Sequence, residues 1–284
     1  MNFSLVNNTL EHFRDDFTIV APLSQVSYIK VFDFESVEIN KHRQWIGENW
    51  YISIYAAVIY VNLIFIGGHW MKNRQPFQLR RLLTAWNIGL ALFSAIGFFR
   101  TAPEVFHILK QSNGFHQSVC SRDGHNAATA FWALLMTWSK LVELGDTAFI
   151  ILKKQPLIFL HWYHHITVLV YVWASFETYE PSLRYFMSMN FFVHAIMYMY
   201  YAFKALRIKV PRNIAMMITC LQLSQMVIGV YVNLYLLYAK GKGETFCPDA
   251  ASQGIHMALM MYASYFGLFA NFFYRSYFGK TKKE

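Results

Sequence analysis

The sequence predicts an all-α integral membrane protein with seven transmembrane helices. Of its 284 residues, 56% are hydrophobic and only 14% are charged, whereas soluble domains carry roughly 25% charged residues. The hydrophobic residues cluster in blocks of about 20, the length of an α-helix that spans a bilayer. These blocks lie at about 50–70, 82–99, 127–152, 156–176, 185–203, 213–238 and 255–274.

The segments that flank these blocks set the predicted domain organisation. A polar and mixed segment, residues 1–46, precedes the first block, and a basic tail, residues 276–284, follows the last. We predict a lumenal N-terminal segment, one helical membrane domain over 47–275 and a short cytosolic tail. Because the first segment lacks the apolar core of a cleavable signal peptide, we expect the first span to act as the insertion signal.

The net charge of +9 is explained by orientation in the membrane and does not require nucleic-acid binding. With the N-terminus in the lumen, the cytosolic loops and tail are basic with Glu284 as their one acid, while the other side is mixed. This is the positive-inside pattern of membrane proteins. The predicted cytosolic basic residues are Lys72, Arg74, Arg80, Arg81, Lys153, Lys154, Lys204, Arg207, Lys209, Arg212, Arg275, Lys280, Lys282 and Lys283.

Short signals at both ends of the chain agree with this orientation. Asn2 and Asn7 begin N-glycosylation sequons on the predicted lumenal side. Lys280 and Lys282 stand five and three residues from the end, a spacing that resembles the cytosolic dilysine signal for return to the endoplasmic reticulum. We therefore predict a multi-pass protein of the endoplasmic reticulum membrane, with its N-terminus lumenal and its C-terminus cytosolic.

The three cysteines fall on two sides of this topology. Cys120 and Cys247 lie in two predicted lumenal loops, whereas Cys220 lies inside the sixth span. An oxidising lumen permits disulfides, so a Cys120–Cys247 bridge is the favoured interpretation. Two unrelated free thiols are the alternative.

Four of the predicted spans carry polar residues at helical spacing. Span three holds Lys140, Glu143 and Asp146 at intervals of three residues, within an arc of about 120°. Further groups follow in spans four to six, namely His161, His164 and His165; Asn190, His194, Tyr198 and Tyr201; and Thr219, Gln222 and Gln225. At about 1.5 Å per residue these groups lie at similar depths, nearer the cytosolic side. The pattern indicates one polar layer at the floor of a cavity that opens toward the cytosol.

The polar layer has a structural and a functional interpretation. Interhelical hydrogen bonds do hold membrane bundles together, at about 0.6 kcal/mol each. Four histidines, two carboxylates and a lysine exceed what packing requires, and ionisable groups inside a membrane are costly to bury. We therefore favour a functional site.

Four segments in this layer resemble motifs of the fatty-acid elongase (ELO) family, in the same order and spacing. The segment KLVELGDT matches the K-x-x-E-x-x-D-T box, and HWYHH matches the H-x-x-H-H box. The segments NFFVHAIMYMYY and TCLQLSQ match the N-x-x-x-H-x-x-M-Y-x-Y-Y and T-x-x-Q-x-x-Q boxes. Together with RLLTAWNIGLALFSAIGFFR, the segment HWYHHITV most resembles the subgroup that extends saturated and monounsaturated chains near palmitate.

The resemblance implies a fold and a reaction. Six helices would surround a narrow tunnel for the acyl chain, with the first helix outside and the CoA facing the cytosol. The enzyme would condense a long acyl-CoA with malonyl-CoA, giving 3-ketoacyl-CoA, CO2 and CoA without a cofactor or metal. The product would pass to separate partners, a 3-ketoacyl-CoA reductase, a 3-hydroxyacyl-CoA dehydratase and an enoyl-CoA reductase. The sequence leaves homo-oligomerisation open.

The resemblance also implies roles for the histidines. Imidazole is a competent nucleophile for a thioester, and apolar surroundings favour its neutral form, which has the free lone pair. His164 is the candidate nucleophile and would form an acyl-imidazole. His194 would orient the thioester or assist decarboxylation of malonyl-CoA, while His161 and His165 would orient their neighbours.

The remaining polar groups would support this chemistry. We expect Asp146 to fix a histidine tautomer, as the carboxylate of a catalytic triad does. Asn190 and Gln222 would donate to the developing enolate oxygen. Lys140 and Glu143 would be mainly structural, and the same supporting role is predicted for Tyr198, Tyr201 and Gln225. Either CoA-phosphate binding or the positive-inside pattern alone explains Lys153, Lys154, Lys204, Arg207 and Lys209.

Two other classes of membrane protein compete with this interpretation. Oxygenases and desaturases with two irons also use H-x-x-H-H, and imidazole suits iron, but they need about eight histidines. This chain places only His161, His164, His165 and His194 at suitable depth. A seven-helix receptor or transporter is the second alternative, although the boxes lack the Gly/Pro-broken helices typical of transporters.

Overall fold

The computed structural model describes residues 23–243, 245–249 and 254–278, and the regular secondary structure in these ranges is helical. Two short turns of other helix types, a 3₁₀ turn at Asp33–Glu35 and a π turn at Tyr274–Phe278, flank the α-helices. The α-helices are α1 (Ile39–Glu48), α2 (Ile52–Met71), α3 (Arg80–Leu109), α4 (Gly114–Cys120), α5 (Ala127–Glu143), α6 (Gly145–Leu152), α7 (Phe159–Phe176), α8 (Leu183–Ala205), α9 (Arg212–Gly241) and α10 (Ile255–Phe273).

Each predicted apolar block coincides with helix, with two differences of substance. The third block is divided at Leu144 into α5 and α6. The second helix, α3, runs about ten residues past the predicted end at 99. The added part of the helix carries a charged residue that is paired: Glu104 is buried and lies 3.1 Å from Arg184 Nε and 2.7 Å from His125 Nδ1. The helix therefore continues because its charges are compensated.

Three of the described helices, α2, α3 and α9, are long and apolar enough to cross a membrane. Their exposed faces carry large apolar side chains, such as Phe65 and Phe99, which are 70% and 72% exposed. Apolar surface of this extent is suited to lipid rather than water. The chain is thus an all-helical membrane protein, whereas the count of seven spans stays a prediction.

Close packing joins α3 to α8 along most of their length. A Cβ atom at Gly97 of α3 would lie 2.6 Å from the ring of Phe191 on α8, so only glycine permits this approach. On the other side of the bundle, α5 and α7 share a core that includes Trp132, Leu169 and Trp173. The two packings bring the polar residues of α5, α7 and α8 to one level of the bundle.

The segment before α2 is tied to the bundle through Glu35. This carboxylate is fully buried and accepts from Arg100 Nε at 2.8 Å, from Trp132 Nε1 at 3.0 Å and from the Phe32 N–H at 2.9 Å. Burial by itself would raise the pKa of Glu35. The Arg100 guanidinium and the two N–H donors outweigh burial and hold that pKa below its usual value.

The end of the bundle away from the histidines is also cross-linked. Cys120, at the end of α4, and Cys247, beyond α9, form a disulfide, the pairing that the sequence predicts. Beside it, the backbone N–H of Arg122 donates to Asp249 Oδ2 at 2.7 Å. Cys220 is free and exposed on α9.

Candidate active site

A buried lysine links α5 to α8 at the centre of the site. Lys140 Nζ donates to Glu143 Oε1, one helical turn along α5, and to Asn190 Oδ1 on α8, both at 2.9 Å. Glu143 Oε1 also accepts from Ser139 Oγ at 3.0 Å. Lys140 and Glu143 are 2% and 3% exposed, and a charge at this depth persists only when it is paired and hydrogen-bonded.

His194 of α8 lies between an amide and a carboxylate. The amide nitrogen of Asn190 lies 3.1 Å from His194 Nε2. The other ring nitrogen, Nδ1, lies 3.8 Å from Glu143 Oε2. Since the amide nitrogen donates, Nε2 is the accepting nitrogen and the ring proton is on Nδ1, directed toward Glu143.

The three histidines of α7 form a continuous set of ring contacts. The ring centroids of His161 and His165 lie 4.5 Å apart, and those of His165 and His164 lie 5.6 Å apart. His161 Nε2 lies 2.9 Å from Thr147 Oγ1 on α6. The sequence did not single out Thr147, although it is the last residue of the KLVELGDT segment.

His164 is the histidine of this set that lines a narrow cavity inside the bundle. Near His164 the cavity wall includes Lys140, Asn190 and Gln225. Farther along α7 it is bounded by Val168, Tyr171, Val172 and Ser175, and beyond the helix by Glu180 and Ser182. Tyr265 of α10 also lines it, with its ring centroid 5.0 Å from that of His164. The cavity therefore continues away from the polar layer between mostly apolar walls.

The structure corrects the role predicted for Asp146. Its two oxygens accept from Trp86 Nε1 at 2.6 Å and from the Tyr198 hydroxyl at 2.8 Å, so it joins α6 to α3 and α8. Gly145 permits this arrangement, because a Cβ there would lie 2.9 Å from the Trp86 ring. At the site, the carboxylate that faces a histidine is Glu143, opposite His194, and the contact of α6 with the α7 histidines is that of Thr147 with His161.

The structure also differs from the positions predicted for Gln222 and Tyr201. Gln225 lines the cavity, whereas Gln222 donates to Met197 Sδ at 3.4 Å. Tyr198 is buried, but Tyr201 is 46% exposed and contacts the Tyr200 ring, so it does not share the inward face with Asn190 and His194.

The predicted basic residues lie at the end of the bundle nearest the histidines. Lys204, Arg207 and Lys209 are exposed around the end of α8, and Lys153 is partly exposed after α6. Lys154 Nζ donates to the carbonyls of Lys72 and Arg74, at 3.0 and 3.1 Å. Asn2, Asn7, Lys280 and Lys282 lie outside the described residues.

Comparison with known proteins decides the family. The model of the ELO family, described as the GNS1/SUR4 family, matches residues 45–284. The chain belongs to the ELO family. It is 49% identical over 255 residues to "very long chain fatty acid elongase 6" of Drosophila melanogaster, covering 88% of this chain and 80% of the relative. The human protein of that name is 43% identical over 257 residues, covering 90% of this chain and 96% of the relative.

A relative with another elongase name matches a similar share of the chain. The mouse "very long chain fatty acid elongase 3" is 39% identical over 259 residues, covering 89% of this chain and 92% of the relative. The family model spans all four ELO motifs and every helix from α2 to α10. Membership thus favours the elongase interpretation over both the oxygenase and the transporter.

Several residues of this ELO site were not foreseen from the sequence. Trp86, Tyr60 and Tyr265 come from α3, α2 and α10, outside the four motifs, and their partners are set by tertiary packing. Within the described ranges, no three histidine, cysteine or carboxylate side chains gather in the arrangement of a metal site.

Proposed function

We propose that this protein condenses a long-chain acyl-CoA with malonyl-CoA to give 3-ketoacyl-CoA, CO2 and CoA. The observation that carries the proposal is the position of His164, at the junction between the polar layer and a largely apolar cavity. A thioester carbonyl held at that junction can place its acyl chain in the cavity and its CoA on the side of the basic loops. Membership of the ELO family gives the reaction class.

In the first half-reaction, an imidazole nitrogen of His164 attacks the thioester carbonyl. The C–N bond forms, the C–S bond breaks and CoA leaves as its thiolate. Covalent catalysis of this kind divides one difficult step into two easier ones. The enclosed cavity protects the acyl-imidazole from water until malonyl-CoA arrives.

In the second half-reaction, malonyl-CoA loses CO2 and the resulting enolate attacks the acyl carbon. A C–C bond forms, the C–N bond breaks and the imidazole of His164 is regenerated. Lys140 and Asn190 line the cavity beside His164 and are the donors placed to stabilise the enolate or oxyanion charge. His194, backed by Glu143, orients malonyl-CoA for decarboxylation.

The depth of the cavity suits an ordinary long acyl chain. Ser175 is eleven residues beyond His164 on α7, which is about 16 Å along a helix axis. The hydrocarbon of a bilayer is about 30 Å thick, hence about 15 Å for the chains of one leaflet. The distance from His164 to Ser175 is therefore similar to the length of an acyl chain in one leaflet, which supports a substrate near palmitate.

The cellular setting is proposed from the charge pattern and the short signals. Seven spans, with six around the acyl tunnel, would leave the N-terminus in the lumen of the endoplasmic reticulum and the C-terminus in the cytosol. The exposed basic residues beside α6 and α8 would then meet the CoA phosphates. A reductase, a dehydratase and an enoyl reductase would complete the cycle.

Condensation changes no oxidation state, so we expect activity without a metal or other cofactor. Exhaustive chelation of the purified protein should leave turnover unchanged. Activity that is lost on chelation and restored by one particular metal would instead support a metal-dependent lipid oxygenase.

The decisive experiment separates the two half-reactions. Purified protein incubated with palmitoyl-CoA alone should release stoichiometric CoA and carry an acyl adduct on His164, detected by mass spectrometry. His164→Ala should abolish both, while His165→Ala should only weaken them. CoA release that strictly requires malonyl-CoA, with no adduct, would show direct attack in a ternary complex. Absence of any 3-ketoacyl-CoA from palmitoyl-CoA and radiolabelled malonyl-CoA would overturn the condensing function itself.

A further inference from the structure

A tyrosine of α2 is hydrogen-bonded to the polar layer, although it lies outside all four motifs. The Tyr60 hydroxyl lies 2.6 Å from Thr147 Oγ1 on α6. Tyr60 and Thr147 are 6% and 1% exposed. A short hydrogen bond between two buried hydroxyls fixes the position of both groups, since neither has water as a competing partner.

The same threonine oxygen contacts a histidine of α7. Thr147 Oγ1 lies 2.9 Å from His161 Nε2, which makes a chain of three groups from Tyr60 to His161. A threonine hydroxyl has one proton to donate and lone pairs to accept. The two hydrogen bonds can therefore be donated from Tyr60 toward His161 or from His161 toward Tyr60. This direction decides which nitrogen of His161 carries the proton.

The partners of the Tyr60 hydroxyl favour one direction. If Thr147 donates to His161 Nε2, it accepts from Tyr60, and both hydroxyl protons are used. In the reverse direction Thr147 donates to Tyr60, whose own proton then needs a second acceptor. Among the described residues, the Tyr60 hydroxyl has Thr147 as its hydrogen-bond partner. The favoured direction makes His161 Nε2 an acceptor and leaves the ring proton on Nδ1.

His161 is in turn part of the ring set that ends at the proposed nucleophile. Its ring centroid lies 4.5 Å from that of His165, and the Tyr60 ring lies 6.5 Å from His165 on the same flank. The His165 ring centroid lies 5.6 Å from that of His164. A change in the orientation of His161 is therefore passed to His164 through one intervening ring.

We propose that Tyr60 is a positioning residue of the active site, an inference that rests on the proposed condensation. Acting through Thr147, it holds His161 in one tautomer and one ring orientation, and His161 with His165 holds His164 in the geometry for attack on the thioester. The helix α2 thereby contributes to the chemistry rather than only to insertion and packing.

Substitutions that change a single hydroxyl or methyl group test this proposal in the purified full-length enzyme. Tyr60→Phe keeps the ring and removes the hydroxyl, whereas Thr147→Val removes the shared hydroxyl and keeps the side-chain shape. Thr147→Ser keeps that hydroxyl and is the rescue variant. Tyr55→Phe is the matched control, because Tyr55 lies on the same helix and is 62% exposed.

We expect Tyr60→Phe and Thr147→Val each to lower kcat by roughly 3- to 10-fold, the scale of one lost hydrogen bond. With rates measured well below the melting temperature and normalised to folded protein, the KM for palmitoyl-CoA should stay near the wild-type value, and CoA release with palmitoyl-CoA alone should slow by the same factor. Thr147→Ser should recover most of the rate that Thr147→Val loses, and Tyr55→Phe should retain the wild-type rate. The Tyr60→Phe, Thr147→Val double variant should be no slower than the slower single variant.

A wild-type kcat for Tyr60→Phe would overturn the proposal. So would effects that multiply in the double variant, or losses of activity that follow the melting temperature and raise KM. These outcomes concern Tyr60 alone, because the wild-type enzyme is assayed for 3-ketoacyl-CoA in parallel. If the wild type made no condensation product, the proposed function would fail instead.

Discussion

His194 Nδ1 lies 3.8 Å from Glu143 Oε2, across the interface between α8 and α5. The other carboxylate oxygen of Glu143 is held by Ser139 and Lys140. The carboxylate is therefore fixed in direction, with its second oxygen left for the histidine. A carboxylate in this position orients an imidazole and stabilises its protonated form during proton transfer.

The first prediction concerns this pair. Glu143→Gln keeps the side-chain shape and an acceptor for Lys140 but removes the charge that faces His194. We expect kcat for 3-ketoacyl-CoA formation to fall by about 100-fold or more, within the range for loss of acid–base assistance. CoA release with palmitoyl-CoA alone should persist, so the acyl adduct should accumulate.

The control for this measurement is Glu38→Gln, since Glu38 forms an exposed surface ion pair with Lys41 and should be silent. If the Glu143→Gln enzyme turned over at the rate of the control, Glu143 would have no part in the chemistry. Loss of the adduct as well would place Glu143 in the first half-reaction.

The second prediction follows from the contacts of Asp146 with Trp86 and Tyr198. Asp146→Asn weakens two hydrogen bonds that join three helices. The free energy of unfolding in detergent should fall by about 1–3 kcal/mol, with Trp86→Phe giving part of that loss. The folded fraction should still form the acyl adduct on His164. A variant with unchanged stability and no adduct would instead support the predicted role of Asp146 in fixing a histidine tautomer.

The error over Asp146 shows where the sequence was sufficient and where it was not. The spacing of Lys140 and Glu143 placed both on one face of a helix, and there they form an ion pair, because both lie in one uninterrupted helix. The arc that included Asp146 assumed that this helix continues, but it ends at Glu143 and a second helix begins at Gly145. The break places Asp146 against Trp86, a residue sixty positions away that no local pattern connects to it.

The same distinction applies to the other residues. Apolar blocks and motif spacing predicted the helices, because helix formation and burial follow from local periodicity. Gln222 and Gln225 are three residues apart on α9, and only the packing of that helix decides which one borders the cavity. Tyr60 carries no signal in the sequence beyond its place in an apolar span, since its role depends on a contact between α2 and α6.

The third prediction concerns the disulfide between Cys120 and Cys247, which are 127 residues apart. Replacing both cysteines by serine should lower the free energy of unfolding by about 2–5 kcal/mol. Cys220→Ser is the control, because this thiol is free and exposed and its loss should leave the melting temperature unchanged. Peptide mapping without reductant should recover the bridged pair from protein folded in an oxidising compartment. Two free thiols there would contradict the pairing.

The last prediction uses Ser175 to measure the acyl cavity. Its hydroxyl donates to the Tyr171 carbonyl at 2.7 Å, and the residue lines the cavity about 16 Å from His164. A larger side chain there would fill the far part of the cavity, and cores resist such additions. Ser175→Phe should therefore shorten the preferred acyl-CoA by at least one two-carbon step, in a competition assay over a saturated acyl-CoA series.

The matched control is Ser224→Phe, because Ser224 makes the same bond to a carbonyl four residues earlier, at 2.8 Å, but lies on an exposed face of α9. Its chain-length profile should equal that of the wild type. Ser175→Leu adds less volume and should give an intermediate shift, which keeps the test informative if the phenylalanine variant folds poorly. Unchanged profiles in both Ser175 variants, with activity retained, would mean that the acyl chain does not reach this position. If the preferred acyl-CoA became shorter from wild type to Ser175→Leu to Ser175→Phe, the distance from His164 to Ser175 would set the preferred chain length.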